Sequence, residues 1–355
     1  MTSSPGAVIA SHAAGASCRR AGCQRPRTGL AAPSLATGIS ISVTSPGHGA
    51  SDRCPIVSGD PTPVYRVGTA SWTDPTLLAA DFYPPSVKTA EARLRYYADH
   101  FGTVEVDSTY YALPNERNAV LWAQRTPDEF TFNVKAFALL TQHAATTRTL
   151  PQALRALLPS TALRAPQLRQ PPREVLDLSF EMFRSALSPL HSAGKLGCVL
   201  LQFPPWFTAR DSNEAYIDYC RAHLPGYQLA VEFRHSSWFD HRTQQTLDFL
   251  STRRLSLVCV DAPAAASIPH PPFTTTCEIG YVRLHGRNRQ AWFRPQKSAA
   301  TRFKYSYSDA ELRESAAQVR QLRGARTVYV IFNNCYADYG VRNAITMQRL
   351  LEASL

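Results

Sequence analysis

The sequence Tyr-Gln-Leu-Ala-Val-Glu-Phe-Arg-His-Ser-Ser-Trp, residues 227–238, decides the fold. In an extended strand, Val231 and Phe233 point to one side, whereas Glu232 and Arg234 point to the other. One face is therefore apolar, and the other carries a carboxylate and a guanidinium. Because other segments of the chain have the same two-sided design, we expect a ring of such strands.

Eight segments after residue 62 have the composition of strands, and helical patterns separate them. Besides the segment within 227–238, the predicted strands are Val64–Ala70, Thr103–Ser108, Phe130–Ala136, Gly197–Phe203, Leu255–Asp261, Ile279–His285 and Thr327–Asn333. Strands that alternate with helices over about 290 residues predict an α/β fold, a single TIM-type (β/α)8 barrel. The competing doubly wound sheet would carry a Gly-x-Gly-x-x-Gly turn after a strand, and the sequence has none.

Two segments depart from the barrel pattern. Residues 1–62 are rich in Ala, Ser, Gly, Pro and Thr and predict a disordered low-complexity tail, which leaves 63–355 as the barrel domain. The tail superficially resembles a transit peptide, but disorder or an early start codon explains its composition better. The long segment 141–173 is poorly patterned and is expected to be a lid, an insertion or a disordered loop.

The composition favours a globular protein without a membrane span. No apolar run approaches the roughly 20 residues of a spanning helix. The formal net charge is +11, yet the basic residues do not cluster, so the charge alone does not establish a nucleic-acid partner. Eight scattered cysteines without a zinc-type spacing are typical of a reducing compartment, and we expect a cytoplasmic protein. The sequence leaves the oligomeric state open.

Polar residues stand near the carboxyl end of seven of the predicted strands. If the apolar row of each strand packs on the helices, the other row fills the barrel. The inward residues are then Glu105, Asp107, Asn133, Lys135, Gln202, Glu232, Arg234, Asp261, Arg283, His285 and Asn333, with Asn334 at the mouth. Isolated buried charges cost several kcal/mol, so these ions must pair or meet a ligand. Candidate partners of the acids Glu105, Glu232 and Asp261 are the cations Lys135, Arg234 and Arg283. If these ions only pair with one another, they fill the barrel without forming a binding site.

Ordered motifs along the chain resemble a known family. They are Val-Gly-Thr-Ala-Ser-Trp (67–72), Phe-Tyr-Pro-Pro (82–85), Val-Glu-Val-Asp-Ser-Thr-Tyr-Tyr (104–111), Phe-Asn-Val-Lys-Ala (132–136), Gln-Phe-Pro-Pro (202–205), Val-Glu-Phe-Arg-His-Ser-Ser-Trp (231–238), Arg-Leu-His-Gly (283–286) and Phe-Asn-Asn (332–334). Over roughly residues 64–354 the chain resembles the YecE-like proteins, family seventy-two of the domains of unknown function. The resemblance implies a TIM-type barrel and supplies no reaction. The N-terminal tail, the 141–173 segment and Cys335 depart from the usual pattern.

The residues favour an enzyme that acts on an anionic, phosphate-bearing substrate, with phosphodiester hydrolysis as one reaction. The predicted catalytic residues are Glu105, Glu232, Asp261 and His285. The predicted substrate-binding residues are Trp72, Tyr110, Lys135, Gln202, Arg234, Trp238, Arg283, Asn333 and Asn334. Carboxylates can serve as general bases, and cations near strands seven and eight can hold phosphate. No cofactor is predicted; a divalent metal bound by these carboxylates and His285 is an alternative, weakened by the shortage of histidines.

Three other functions remain open at this point. A non-catalytic protein could bind nucleic acid or another polyanion through Arg283, Arg287, Arg289, Trp292 and Arg294. A retaining glycosidase would need Glu105 and Glu232 about 5–5.5 Å apart, with aromatic side chains as sugar platforms. Cysteine chemistry at Cys335 would need a base that the sequence does not place beside it.

Overall fold

The computed structural model describes residues 62–263, 269–292 and 303–353 and contains an eight-stranded parallel sheet. The strands are β1 Val64–Thr69, β2 Thr103–Val106, β3 Thr131–Lys135, β4 Leu196–Gln202, β5 Gln228–Glu232, β6 Ser256–Asp261, β7 Ile279–Leu284 and β8 Thr327–Phe332. Every predicted strand is present, with ends within a few residues of those expected. The predicted tail, residues 1–62, lies outside the described residues except for Thr62.

The sheet curls into a nearly closed barrel. Its strand order is β1-β8-β7-β6-β5-β4-β3-β2, so that β1 and β2 are the two edges that must meet. They meet through an isolated parallel bridge between Ala70 and Glu105, and the Ser71 amide donates to the Glu105 carbonyl at 2.8 Å. The predicted TIM-type architecture is therefore confirmed.

Helices alternate with the strands along the chain. They are α1 Pro75–Leu78, α2 Ala90–Ala98, α3 Glu116–Gln124, α4 Gln152–Ala156, α5 Ser160–Arg164, α6 Arg173–Ser192, α7 Asp211–His223, α8 Thr243–Thr252, α9 Arg289–Trp292, α10 Asp309–Val319 and α11 Tyr339–Glu352. The Ser308–Glu311 capping box at the start of α10 is present as its sequence predicts. The sequence Asp211-x-x-Glu214 has the same capping-box pattern, but α7 begins at Asp211 itself without a side-chain cap, and Glu214 binds Arg242. None of the described helices is long and apolar enough to cross a membrane.

Buried apolar side chains cover both faces of the sheet, the outward face towards the helices and the inward face within the barrel. The outward row includes Val104, Val134 and Val231, which join the large apolar core shared with the helices. The inward row includes Leu200 and Ile331, which belong to a smaller apolar cluster. This alternation follows from the pleat of each strand, and it leaves the inward polar residues near the carboxyl ends facing one another.

The segment 141–173 is a structured insertion in the described chain. It contains α4 and α5 and a two-residue antiparallel ladder between Ala145–Thr146 and Gln167–Leu168. Leu154 and Leu168 are buried in the outer core. The segment thus has an apolar anchor of its own, which the weak periodicity of its sequence did not reveal.

Gly68 permits the close approach of β1 to β2. A Cβ at this position would lie 2.1 Å from the Thr103 carbonyl oxygen and 2.9 Å from its carbon. Because these are backbone atoms, the seam must shift, and we expect Gly68→Ala to lower the free energy of unfolding by about 1–3 kcal/mol. Urea denaturation measures this change. Gly102→Ala is the control, since its Cβ would meet its nearest atom, on Arg66, at an ordinary 3.6 Å; equal losses would contradict the closed seam.

Candidate active site

Two carboxylates and one guanidinium form the centre of the barrel mouth. Arg283 on β7 binds Glu105 on β2 in a bidentate pair, with Nε to Oε2 at 3.0 Å and Nη2 to Oε1 at 2.6 Å. Its remaining nitrogen, Nη1, donates to Glu232 Oε2 on β5 at 2.6 Å. All three side chains are almost completely buried, at 1% exposure or less. One arginine therefore joins strands from across the barrel and donates hydrogen bonds to two buried carboxyl groups.

Glu232 is held in its ionised form by a full set of donors. Gln202 Nε2 donates to its Oε1 at 2.8 Å, and Arg234 Nη2 lies 2.5 Å from the same oxygen. Burial opposes the charge, but Arg234 and Arg283 outweigh it and hold the pKa of Glu232 well below its usual range. A carboxylate that is both ionised and saturated with donors is a poor proton acceptor. Its role in the described structure is to position Arg234 and Arg283.

His285 is a buried, neutral imidazole between an amide and a charged pair. Its Nδ1 lies 2.8 Å from the side-chain amide of Asn333. Its Nε2 lies 3.2 Å from Arg234 Nη2 and 3.5 Å from Glu232 Oε1. Burial, followed by the charge of Arg234, lowers the pKa of His285 to about 3. At neutral pH the ring therefore carries one proton, so one nitrogen donates and the other accepts.

Lys135 faces the mouth from the end of β3. Its Nζ lies 4.4 Å from the centroid of the Tyr110 ring, a cation–π contact. Among the described residues it has no carboxylate within ion-pair distance, since Glu105 and Glu232 are bound to arginines. Burial, followed by the charge of Arg283, lowers the pKa of Lys135 to about 8.

Asp107, like Lys135, is an ionisable residue at the mouth without an ion-pair partner among the described residues. Its carboxylate makes no hydrogen bond or ion pair with another described residue. It follows β2 on the same row as Glu105, and its side chain caps neither the turn Ser108–Tyr110 nor a helix. Burial, followed by the charge of Glu105, raises the pKa of Asp107, while Lys135 opposes the rise. The amine of Lys135, a weaker base than usual, and the carboxyl group of Asp107, a weaker acid than usual, therefore influence each other electrostatically.

Aromatic side chains border this part of the mouth. We call Tyr110, Tyr111, His143 and Trp206 the aromatic rim. Tyr110 packs edge-to-face against Tyr111 at 5.1 Å and against His143 at 5.2 Å, and His143 lies 6.0 Å from Trp206. Tyr111 and Trp206 are 68% and 60% exposed, so the rim presents unusually large apolar surfaces to solvent. Such surfaces suit a flat ring of a ligand.

Comparison with known proteins identifies the family. Residues 66–355 match the family described as "Protein of unknown function DUF72". The chain belongs to the DUF72 family. Its curated relatives include the UPF0759 protein YunF of Bacillus subtilis, 31% identical over 294 residues, which covers 81% of this chain and 94% of YunF. The UPF0759 protein YecE of Escherichia coli strain K12 is 30% identical over 192 residues, 53% of this chain and 59% of YecE. The resemblance seen in the motifs is confirmed.

Solved structures of other DUF72 proteins share the fold. A family protein from Thermotoga maritima superposes with a TM-score of 0.63 at 28% identity and covers 81% of this chain and 99% of its own. One from Enterococcus faecalis gives a TM-score of 0.65 at 25% identity and covers 81% and 96%. These similarities support the barrel and, with it, the meeting of strand ends at one mouth.

Asp261 of this DUF72 chain is not where the sequence analysis expected it. The inward row of β6 consists of Val258 and Val260, so the pleat turns Asp261 to the other row. There it accepts a bidentate pair from Arg287, with the shortest distance 2.6 Å, and a hydrogen bond from Tyr307 at 2.7 Å. The expected inward position of Asp261 is therefore wrong, and Asp261 lies on the opposite face of the sheet from the Glu105–Arg283–Glu232 cluster.

Three predicted ligand-binding residues of the DUF72 chain lie in the packing around the barrel. Trp72 joins the outer core and packs against Trp122 and Phe132, with ring centroids 5.8 and 6.4 Å apart. Trp238 is fully buried in the same core. Asn334 is also fully buried, and its amide donates to Tyr305 O and Asn343 Oδ1, both at 2.9 Å. The expectation that these side chains bind a ligand at the mouth is corrected, because all three stand on the outward side of the sheet.

The predicted metal ligands of this DUF72 site are engaged by cations and amides instead. Within residues 62–263, 269–292 and 303–353, no group of three or more His, Cys, Asp and Glu side chains is arranged to hold a metal ion.

The Cys335 thiol donates to the Ala70 carbonyl at 2.8 Å, and burial raises its pKa well above the usual value. His235 caps the turn Ser236–Trp238, as expected of a histidine on the outward row.

Proposed function

We propose that this DUF72 protein is an enzyme that binds a small phosphate-bearing substrate at the barrel mouth. The observation that carries the proposal is Lys135, a half-buried cation that faces the mouth without a carboxylate partner among the described residues. A buried charge of this kind is costly unless a ligand of opposite charge offsets the cost. An anion of one or two charges would fit this environment.

Arg234 and Asn333 are the proposed additional contacts to the substrate. The side chain of Arg234 is 18% exposed, although it also binds Glu232. Asn333 is bonded to His285 and stands on the inward row at the end of β8. Phosphate oxygens would accept hydrogen bonds from Lys135, Arg234 and the Asn333 amide, and charge-assisted bonds of this kind are the stronger ones.

Asp107 is the proposed general acid or base of the reaction. The carboxylate oxygens of Glu105 and Glu232 accept hydrogen bonds from Arg283. Because these oxygens are already engaged, the two residues are poorer candidates for the catalytic role expected of them. Asp107 instead has a raised pKa, and its carboxylate makes no hydrogen bond with a described residue. Phosphodiester hydrolysis fits this arrangement if Asp107 orients the attacking water and the cations stabilise the developing charge.

Lys135→Met is expected to weaken the binding of pyrophosphate about tenfold or more. The reason is the loss of one charge-assisted hydrogen bond, which contributes about 1.5–3 kcal/mol. Isothermal titration calorimetry at fixed ionic strength measures the affinity. Lys88→Met is the matched control, because Lys88 is exposed on a loop and carries the same charge. Equal affinities of the two variants, or no pyrophosphate binding by the wild type, would contradict the proposal.

The exposed aromatic rim keeps two alternatives in view, a glycosidase and a non-catalytic polyanion-binding protein. A glycosidase would use Tyr111 and Trp206 as sugar platforms, but both candidate carboxylates are bound to Arg283. A polyanion-binding protein would use the arginines after β7, yet Arg283 is buried and Arg287 binds Asp261 and Glu314. Arg294 and the side chain of Trp292 lie outside the described residues. Turnover of a chromogenic phosphodiester but not of a chromogenic glycoside would favour the first proposal, and tight, salt-sensitive binding of single-stranded DNA without turnover would favour the last.

A further inference from the structure

Lys135 differs from the other lysines that the structure describes. Lys88 and Lys304 are exposed. Lys195 is buried, and its Nζ donates to the carbonyls of Ala123 and Thr126, both at 2.7 Å. The Nζ of Lys135 makes no hydrogen bond and no ion pair with a described residue and rests on the Tyr110 ring. Its nitrogen is therefore available to a ligand in a way that the amine of Lys195 is not.

We propose that the ε-amine of Lys135 is a nucleophile that forms an imine with an aldehyde or ketone group of a small anionic substrate. This inference rests on the proposed function, because Arg234 and Asn333 hold the anionic group and so bring the carbonyl to Lys135. The protonated form of Lys135 contributes to anion binding, and its unprotonated fraction reacts with the carbonyl. The inference narrows the substrate class to a carbonyl compound that carries a phosphate or carboxylate group. Lysines of this type are known to be activated by burial or by a neighbouring cation.

The surroundings of Lys135 favour the neutral amine that such a reaction requires. Arg283 and Arg234 lie on β7 and just after β5, and their charges oppose a further positive charge on Nζ. Glu105 and Glu232 act in the opposite direction, but each is already bound to an arginine. Asp107 from the end of β2, His143 from the insertion and the phenol Tyr110, whose ring Lys135 contacts, are further titratable groups that interact with Lys135. With a pKa of about 8, a sizeable fraction of Lys135 is unprotonated at neutral pH.

Asp107 supplies the proton that imine formation needs. The lone pair of Nζ adds to the carbonyl carbon, and one proton moves from the nitrogen to the carbonyl oxygen to give a neutral carbinolamine. The carbinolamine then loses its hydroxyl group as water, with a proton from Asp107, while the C=N bond forms, and the second nitrogen proton returns to the Asp107 carboxylate. One amine and one carbonyl give one imine and one water, so no oxidant or reductant is consumed. Burial, followed by the charge of Glu105, raises the pKa of Asp107, which makes its carboxyl group a weaker acid that holds its proton to higher pH than an ordinary aspartate.

Pyridoxal phosphate with sodium borohydride tests this inference, because the probe carries both an aldehyde and a phosphate. Borohydride reduces the imine to a stable secondary amine, and peptide mass spectrometry locates it. With only five lysines in the chain, each site can be assigned and separated from the terminal α-amine. We expect Lys135 to be labelled at least about tenfold faster than Lys88 or Lys304. Its rate should rise with pH around a midpoint near 8, since the amine must lose its proton first.

Matched variants and probes separate this inference from the proposed function. Pyrophosphate should protect Lys135, and pyridoxal without its phosphate should label it at least about tenfold more slowly. Lys135→Arg should lose the label on that peptide, since arginine forms no such imine, whereas Lys88→Arg should leave both the labelling of Lys135 and the binding of pyrophosphate unchanged. Asp107→Asn should slow labelling without weakening pyrophosphate binding. Pyrophosphate binding with no preferential labelling of Lys135 would overturn the imine inference alone, whereas absence of pyrophosphate binding would overturn the proposed function as well.

Discussion

Replacing Arg283 by methionine is expected to lower the free energy of unfolding by about 3–5 kcal/mol. The guanidinium makes two hydrogen bonds to Glu105 and one to Glu232, and both carboxylates are fully buried. Without it, the buried Glu105 carboxylate keeps a single hydrogen bond from the described residues, that of Tyr281 at 2.8 Å. Urea denaturation at pH 7 measures the loss.

Two comparisons isolate the electrostatic cause of this loss. Arg95→Met removes a surface pair with Glu91 in which both side chains are about half exposed, and it should cost no more than about 1 kcal/mol. Adding Glu105→Gln to Arg283→Met should recover part of the loss, because the second change removes the uncompensated charge. If Arg283→Met were no more destabilising than Arg95→Met, the buried cluster would not exist as described.

The effect of Arg283→Met should also depend on pH. In the wild type, the depressed pKa of Glu232 gives a stabilisation that is present above its unfolded value of about 4.3 and is lost as the pH falls through the folded value. In the variant, Arg283 no longer lowers the pKa of Glu232, so this contribution to stability is smaller. The difference in stability between the two proteins should therefore shrink as the pH falls from neutral to below about 4.3. A constant difference over this range would contradict the electrostatic explanation.

Replacing Trp238 by alanine is expected to cost about 3–5 kcal/mol of stability and to leave pyrophosphate affinity unchanged. The indole stacks on Phe233 with ring centroids 4.1 Å apart, and its Nε1 donates to the Phe207 carbonyl at 2.7 Å. Removal leaves a large cavity and an unpaired buried carbonyl. Urea denaturation and calorimetric titration of the folded variant measure the two properties.

Trp206→Ala is the matched control for Trp238→Ala. Its indole is 60% exposed on the aromatic rim, so the change should alter stability by no more than about 0.5 kcal/mol. A substrate that stacks on the rim would lose affinity in this variant and not in Trp238→Ala. If Trp238→Ala lost ligand affinity and kept its stability, Trp238 would contact the ligand and would not be a core residue.

The barrel could be predicted because each strand carries its own pattern. Val231 and Phe233 alternate with Glu232 and Arg234, which indicates that the apolar row packs on the helices. The same alternation in β2 and β7 places Glu105 and Arg283 inside the barrel. The rule failed at β6, where Val258 and Val260 form an apolar inward row and Asp261 belongs to the outward row. An alternation in which both rows are apolar does not reveal which row faces inward.

The partners within the mouth could not be predicted, because pairing across a barrel depends on height along the axis and on side-chain reach. Arg283 binds both Glu105 and Glu232, and this sharing leaves Lys135 and Asp107 without ion-pair partners among the described residues. The sequence placed Asp107 on the inward row but offered no sign that its carboxylate would be unshared. Trp72 and Trp238 were assigned to the mouth from residue type, which does not distinguish a stacking surface from core packing.

A crystal structure of the protein grown with pyrophosphate tests the central claim most directly. We predict a closed eight-stranded barrel in which a phosphate group lies within hydrogen-bond distance of Lys135 Nζ and Arg234, while Arg283 remains bound to Glu105 and Glu232. A mouth that stays free of pyrophosphate at saturating concentration, or a Lys135 that pairs with Asp107 and turns away from the ligand, would contradict the account.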